Sequence, residues 1–285
     1  MARDDKLEAF QPLVASMLLD RRSFITSSLV LAQGWTPASA NEPNRHAVVL
    51  GVRQGERVAG LESVARLGVA PCSTFKIPMT LIALQEGLVT DPDQPVALDP
   101  DTYSPEPWWT DGMRQDWGRP HSLRSAYASS AVWFFRRLAR RMGAARMRHW
   151  LEQFDYGDRN IAHGLDTFWN GGDKGLLISP HEQWTFLSRV AHRQFDLSPR
   201  TYDVASSIFV RETRGELDLL AKTGLGWRGT ARQSDLTGWF VGWVRGSSVA
   251  AAVPFASLVI GRGDDVIRLR VDHAMAALRE AGAWA

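Results

Sequence analysis

The sequence predicts an α+β fold: an antiparallel sheet flanked by N- and C-terminal helices, with an all-helical subdomain inserted and a cleft between the two. Three observations predict it. Strand-like apolar runs occur only near the two ends, at residues 47–52 and 57–61 and again at 217–223, 237–244 and 250–260. Helix-period patterning fills the middle, so the insert spans about 85–212 of a single domain over residues 41–285. The third is that the chemically informative motifs lie between Ser73 and Lys222. To act together they must meet where the helical and sheet parts face each other.

The elements follow in order. Gln54-Gly55-Glu56 turns the first strand into the second. A helix opens at Ser73 and stops near Gly87. Residues 91–116 hold prolines at 92, 95, 100, 105 and 107 and read as mostly irregular. Helical patterning returns over 123–154, broken near Gly143, then over 180–195 and 201–211. After the three C-terminal strands, an amphipathic helix runs over 266–281.

Composition narrows the function. The net charge of +2, with both signs interspersed, gives no basis for nucleic-acid or membrane-surface binding. The Arg-rich run over 136–141 reads as the solvated face of a helix. The single cysteine, Cys72, rules out an intramolecular disulfide and reads as a small buried side chain. Asp20-Arg21-Arg22-Ser23-Phe24-Ile25 resembles a twin-arginine export signal. A modest apolar run and Ala38-Ser39-Ala40 follow, so residues 1–40 read as a signal peptide cleaved before Asn41, with Met1 or Met17 as its start. The apolar run is shorter than the roughly 20 residues that cross a bilayer, so no stable membrane insertion is expected and the mature protein should be periplasmic.

The centre of the chemistry is Ser73-Thr74-Phe75-Lys76. A serine hydroxyl needs a neighbouring base to become a nucleophile. Positions i and i+3 of a helix share a face about 5–6 Å apart at Cβ, so Lys76 can reach Ser73 within one turn. The helix N-terminus also offers free N–H groups to an oxyanion forming there. A lone Ser-x-x-Lys is usually an ordinary capped helix start with a solvated lysine, and its company decides the matter. Ser130-Ala131-Val132 opens a later helix, and Lys222-Thr223-Gly224 ends an apolar strand. That order of motifs is the signature of penicillin-recognising serine enzymes.

The Ser-x-Val form of the middle element makes the chain resemble the class D, oxacillinase-type, serine β-lactamases of that superfamily. The resemblance runs from Ala47 to the C-terminus. It includes Trp117–Arg124, Phe154-Asp155-Tyr156-Gly157-Asp158, Phe168-Trp169, Ile178–Gln183 and Gly238–Val244. It implies the sheet-and-helical-insert fold and hydrolysis of small-molecule β-lactams through an acyl-enzyme on Ser73. It implies that Lys76 is the general base in carboxylated form, carrying a CO2-derived carbamate, with Trp169 donating its indole N–H to it. Ser130 passes the proton to the departing nitrogen. Lys222 and Thr223, in the Lys-Thr-Gly element with Gly224, hold the substrate carboxylate beside Val132. Arg270, or failing it Arg268, assists, and the N–H groups of Ser73 and Leu225 form the oxyanion hole. No metal or other cofactor is expected, and the assembly should be a monomer or homodimer. The histidines at 46, 121, 149, 163, 181, 192 and 273 show no zinc-ligand spacing, and Ser73 has no flanking glycines of a nucleophile elbow. The alternative is a penicillin-binding sensor that acylates but deacylates slowly.

Three departures from the family pattern carry expectations of their own. Asp158 stands where asparagine is usual and offers only acceptors. Asn170 stands where a leucine commonly shields the lysine, which predicts a wetter lysine pocket. Trp133 stands where proline is usual.

Overall fold

The computed structural model describes residues 44–52, 55–105, 109–170, 172–228, 235–246, 248 and 251–284. The export signal, any N-terminal helix and the start of the strand expected from residue 250 lie outside these. Six strands form one antiparallel sheet: β1 Arg45–Val52, β2 Gly55–Gly60, β3 Val210–Arg214, β4 Leu217–Trp227, β5 Leu236–Arg245 and β6 Val253–Gly261. Their order is β2-β1-β6-β5-β4-β3, so the two ends of the chain meet at the centre of the sheet.

The register explains why β5 reads as a continuous apolar run. Successive side chains of a strand point to opposite faces. Val48, Leu50, Phe240, Val244 and Phe255 pack with Ala274, Met275 and Leu278 of the C-terminal helix, Asp265–Glu280. Ala47, Val49, Trp239, Val241, Ala256 and Leu258 face the helical core on the other side. Both faces are therefore dry, and neither half of the alternation can be polar.

Between β2 and β3, eight α-helices lie among the described residues. These are α1 Glu62–Ala65, α2 Lys76–Gln85, α3 Asp111–Trp117, α4 Leu123–Ser129, α5 Val132–Met142, α6 Ala144–Phe154, α7 Pro180–Ala191 and α8 Pro199–Phe209. The C-terminal helix is α9. Their starts follow from capping: Ser122 and Ser179 make reciprocal capping boxes with Ser125 and Glu182, and Ser198 accepts from the Thr201 N–H. Gly143, at φ 78, ends α5 and starts α6.

Four expectations are corrected. The helix predicted to reach residue 211 ends at Phe209, and Val210–Arg214 is the edge strand β3. It lacks an apolar alternation because it is mostly exposed, and Arg211 falls at an irregularity in its pairing with β4. The irregular stretch before residue 116 hides α3, which Thr110 caps by accepting from the Met113 N–H. The helical run after Leu123 breaks a second time, at Ser130, whose φ of 60 closes α4 in the left-handed region. Finally, Ser73 sits in a 3₁₀ turn, Cys72–Phe75, immediately before α2 rather than inside it.

Phe154 is buried against the rings of Trp150, Phe186 and Phe195, with centroids 5.3, 5.4 and 4.7 Å away. Phe154→Ala should lower the free energy of urea unfolding by about 3–5 kcal/mol. A loss below about 1 kcal/mol would show that this aromatic cluster does not hold α6 to α7.

Candidate active site

The turn that carries Ser73 is tightly constrained. Cys72 adopts a φ of 52, a strained value for a residue with a side chain, one position before the serine. Its buried thiol occupies space left by the missing side chain of Gly226, and burial pushes the thiol up to about 12. Cys72 is thus a neutral packing residue, as its sequence context predicts. The carbonyl before the turn, Ala70 O, accepts the Trp239 indole N–H of β5 at 2.9 Å.

Lys76 opens α2 with its side chain only 1% exposed. Its Nζ donates to Ser73 Oγ at 2.9 Å and lies 5.3 Å from the centroid of the Phe135 ring. Burial pulls the amine down to about 7. A displacement of that size disfavours the ammonium form by about 5 kcal/mol. The nearby Cys72 opposes this only when it is a thiolate, a form it does not adopt near neutrality. Lys76 is therefore substantially a free amine in an apolar chamber.

Trp169 stacks on Phe75, the residue before Lys76, at 5.3 Å and 14°. Its indole N–H is buried and has no partner among the described residues. An orphaned buried donor, on a ring stacked against the residue before Lys76, fits a carboxylate on that lysine. Asn170, by contrast, is exposed, so its amide is hydrated and needs no buried partner. The expectation of a wet lysine pocket is not met.

Ser130 and Lys222 come together through Tyr127. The Tyr127 hydroxyl, one turn before Ser130, donates to Ala221 O of β4 at 3.4 Å, and the Lys222 Nζ lies 5.7 Å from the Tyr127 ring centroid. The Ser130 hydroxyl is buried and unpaired among the described residues. Its loop is held from behind: the Trp117 indole donates to Ser129 O at 3.0 Å, and the Trp133 indole donates to Trp117 O at 2.8 Å. Trp133 thus ties the start of α5 to the end of α3. Asp158 is likewise accommodated, since its Oδ1 accepts from the N–H groups of Asn160 and Leu177 at 3.1 and 3.0 Å. An acceptor is all that this corner uses.

Burial holds Lys222 well below the ordinary lysine range, and Lys76 when protonated, Arg211 and Arg270 push the same way. Arg270 Nη1 donates to Gly224 O at 2.6 Å, and burial followed by Arg211 lowers its guanidinium to about 9. It reaches the sheet over Gly238, where a Cβ would come within 3.2 Å of Arg270 Cδ. Arg270 thus braces the Lys-Thr-Gly strand from the α9 side. Arg268 is engaged by Asp265 and Asp272 on the surface and is set aside. Val132 opens α5 beside Ser130, Thr223 is half-buried on β4, and the Leu225 side chain packs toward α9. Sequence reasoning missed Tyr127, whose signal was its place three residues before Ser130. It also missed Thr74 and Gln183, which lie inside recognised motifs but were given no role.

This geometry is that of a penicillin-recognising serine enzyme, and the comparisons agree. A family described as the penicillin binding protein transpeptidase domain matches residues 47–256. The chain is 37% identical over 177 residues to β-lactamase OXA-48 of Klebsiella pneumoniae, covering 61% of this chain and 60% of that protein. It is 30% identical over 222 residues to β-lactamase OXA-19 of Pseudomonas aeruginosa, covering 77% and 79%. A class D β-lactamase structure from Sebaldella termitidis superposes with a TM-score of 0.73 at 27% identity, over 85% of this chain and 93% of that one. One from Bacillus subtilis gives 0.69 at 29%, over 84% and 92%. The chain belongs to the penicillin-binding protein transpeptidase domain family and, within it, to the class D β-lactamases. Its match spans 60% of the length of OXA-48 and of the probable β-lactamase YbxI of Bacillus subtilis.

Gly224 lets β4 press against the serine turn, because a Cβ there would lie 2.9 Å from Pro71 O and 3.1 Å from Thr74 Cγ2. Gly224→Ala should slow acylation of Ser73 by about tenfold or more while the protein stays folded. Unchanged acylation, read by stopped-flow, would mean that strand and turn are not coupled.

Proposed function

We propose that this chain hydrolyses β-lactams through an acyl-enzyme on Ser73, with Lys76 as general base in carboxylated form. The observation that carries the reading is the 2.9 Å contact between Ser73 Oγ and a lysine that burial brings to about 7. Ser73 Oγ attacks the β-lactam carbonyl carbon as the Lys76 side takes its proton. The C–N bond then breaks, and the Ser130 hydroxyl gives its proton to the nitrogen while recovering the one held on the Lys76 side, which restores the base. Water attacks the ester from the Lys76 side and frees Ser73. The N–H groups of Ser73 and Leu225 stabilise the oxyanion.

A carboxylate formed on Lys76 from CO2 would supply a longer-reaching base, and the Trp169 N–H would hold it. Only a free amine adds to CO2, and Lys76 has that form near neutrality. Lys222, buried and near the charges of Arg211 and Arg270, would be favoured in its charged form by an anion, so the substrate carboxylate is read at Lys222 and Thr223 with Arg270 behind them. No metal is required, and no group of three or more potential metal ligands occurs among the described residues. Export by the twin-arginine route would deliver the mature chain, as monomer or homodimer, to the periplasm.

Intact-protein mass spectrometry with a penicillin should show an adduct that Ser73→Ala abolishes, and a chromogenic cephalosporin should be turned over many times. One equivalent followed by a stalled adduct would make the protein a sensor instead. The sign of the pH effect follows from the lowered Lys76 value: protonation removes the base, so kcat/KM should fall about tenfold per pH unit below 7 and level off above it. Bicarbonate should raise activity most at pH about 6, where ammonium competes hardest with carboxylation. A profile flat from pH 5.5 to about 8 would contradict the assignment of Lys76 as the base.

Replacing Arg21 and Arg22 by lysine should retain the protein in the cytoplasm. N-terminal sequencing of the exported form should begin at Asn41, and a periplasmic form that retained Arg21 would overturn the export reading.

A further inference from the structure

Behind the serine turn runs a buried polar chain that the proposed mechanism does not use. Thr74 Oγ1 donates to Pro71 O at 2.7 Å, spending its one proton there. It therefore accepts from Gln183 Nε2, 2.8 Å away on α7. With the amide nitrogen committed to Thr74, Gln183 Oε1 faces the Tyr156 hydroxyl, which donates to it at 3.3 Å. Burial pushes the Tyr156 phenol up, so it remains a donor. All three side chains are essentially inaccessible, with Thr74 and Tyr156 at 0% and Gln183 at 1% exposure. Every link has one polarity: Tyr156 to Gln183, Gln183 to Thr74, Thr74 to Pro71.

The end of the chain is what gives it consequence. Pro71 O also accepts the Thr74 N–H at 3.1 Å, and it is the atom against which Gly224 of β4 rests. The next residue is Cys72 with its strained φ of 52, and the one after is Ser73. A strained dihedral persists only where its surroundings hold it. The carbonyl of Pro71 is one such hold, because turning the Pro71–Cys72 peptide would swing both Cys72 and the Ser73 N–H.

A threonine hydroxyl bonding a carbonyl three residues back is common by itself. Here its orientation is imposed from an amide on another helix, and successive hydrogen bonds strengthen one another in a dry interior. We infer that Gln183 and Thr74 are positioning residues, fixing through Pro71 O the turn that aims the Ser73 hydroxyl and its N–H. The inference rests on the reading of Ser73 as the nucleophile.

The test is the rate of Ser73 modification in Thr74→Val, Thr74→Ser, Gln183→Leu and Gln183→Glu, using both a penicillin and a fluorophosphonate. The second reagent reports serine reactivity without β-lactam recognition. Thr74→Val should lower acylation and kcat about 100-fold with KM within about threefold of wild type. Thr74→Ser, which keeps the hydroxyl, should restore most of the rate. Gln183→Leu cannot donate to Thr74 and should match Thr74→Val, whereas Gln183→Glu, buried and therefore protonated, can still donate an O–H and should keep most of the rate. The double variant Thr74→Val with Gln183→Leu should be no slower than Thr74→Val, since both break one chain. Circular dichroism melting identifies any variant that fails to fold, and if Gln183→Leu does, the conservative pair decides: Thr74→Ser and Gln183→Glu should both react faster than Thr74→Val.

Thr74→Ser as slow as Thr74→Val, or folded Gln183→Leu at the wild-type rate with either reagent, would overturn the inference. Wild-type protein that reacts at Ser73 with fluorophosphonate but not with penicillin would instead overturn the β-lactam reading, and the fluorophosphonate rates would still judge the chain.

Discussion

The rest of the site depends on one buried contact, between an uncharged lysine amine and the hydroxyl it activates. An ammonium in that position would need a counter-charge, and Cys72, the acidic group that bears on it among the described residues, stays protonated. What makes Lys76 a base is therefore the dryness of its chamber, in which the Phe135 ring centroid lies 5.3 Å from its Nζ. This has a thermodynamic consequence. Between about pH 7 and the ordinary lysine range the unfolded chain holds a proton at Lys76 that the folded chain does not. This residue's contribution thus makes stability rise with pH across that window, and it opposes folding most below it. The fold carries an unfavourable burial to obtain a reactive group.

The architecture shows how that burial is sustained. The serine turn is clamped between the sheet and the helical part. Trp239 of β5 holds Ala70 O, Gly224 lets β4 touch Pro71 O, and Gln183 of α7 reaches Thr74 from the opposite side. Tyr127 ties the Ser130 helix to the strand bearing Lys222. Each side contributes reactive groups, and neither completes the site alone. Burial, and after it the neighbouring charges, lowers the proton affinity of Lys222 and Arg270, and an anion bound at that end of the site would relieve this.

Much of this was legible in the sequence because the motifs are short and local. Ser73 and Lys76 lie within one turn, so their contact follows from helix geometry almost regardless of the remainder. The core strands were legible from their apolar runs, and α7 from Ser179, Pro180 and Glu182 at its start. What was hidden depended on partners far along the chain. The edge strand β3 has no buried face to print an alternation, and α3 follows a proline-rich stretch that masks its single cap. The left-handed bend at Ser130 is set by tryptophans at 117 and 133 rather than by a glycine. Asn170 and Asp158 looked like losses against the family pattern because their neighbours were unknown. One is solvated, and the other needs only to accept.

The most direct test of the account is the titration of Lys76 itself. The chain has four lysines, at 6, 76, 174 and 222, so the side-chain signals of protein labelled with 15N-lysine can be assigned by single substitutions. In CO2-free buffer the Lys76 amine should titrate with a midpoint at about 7. A Lys76 that stayed an ammonium up to pH about 10, as a solvated lysine does, would contradict the claim on which the mechanism rests.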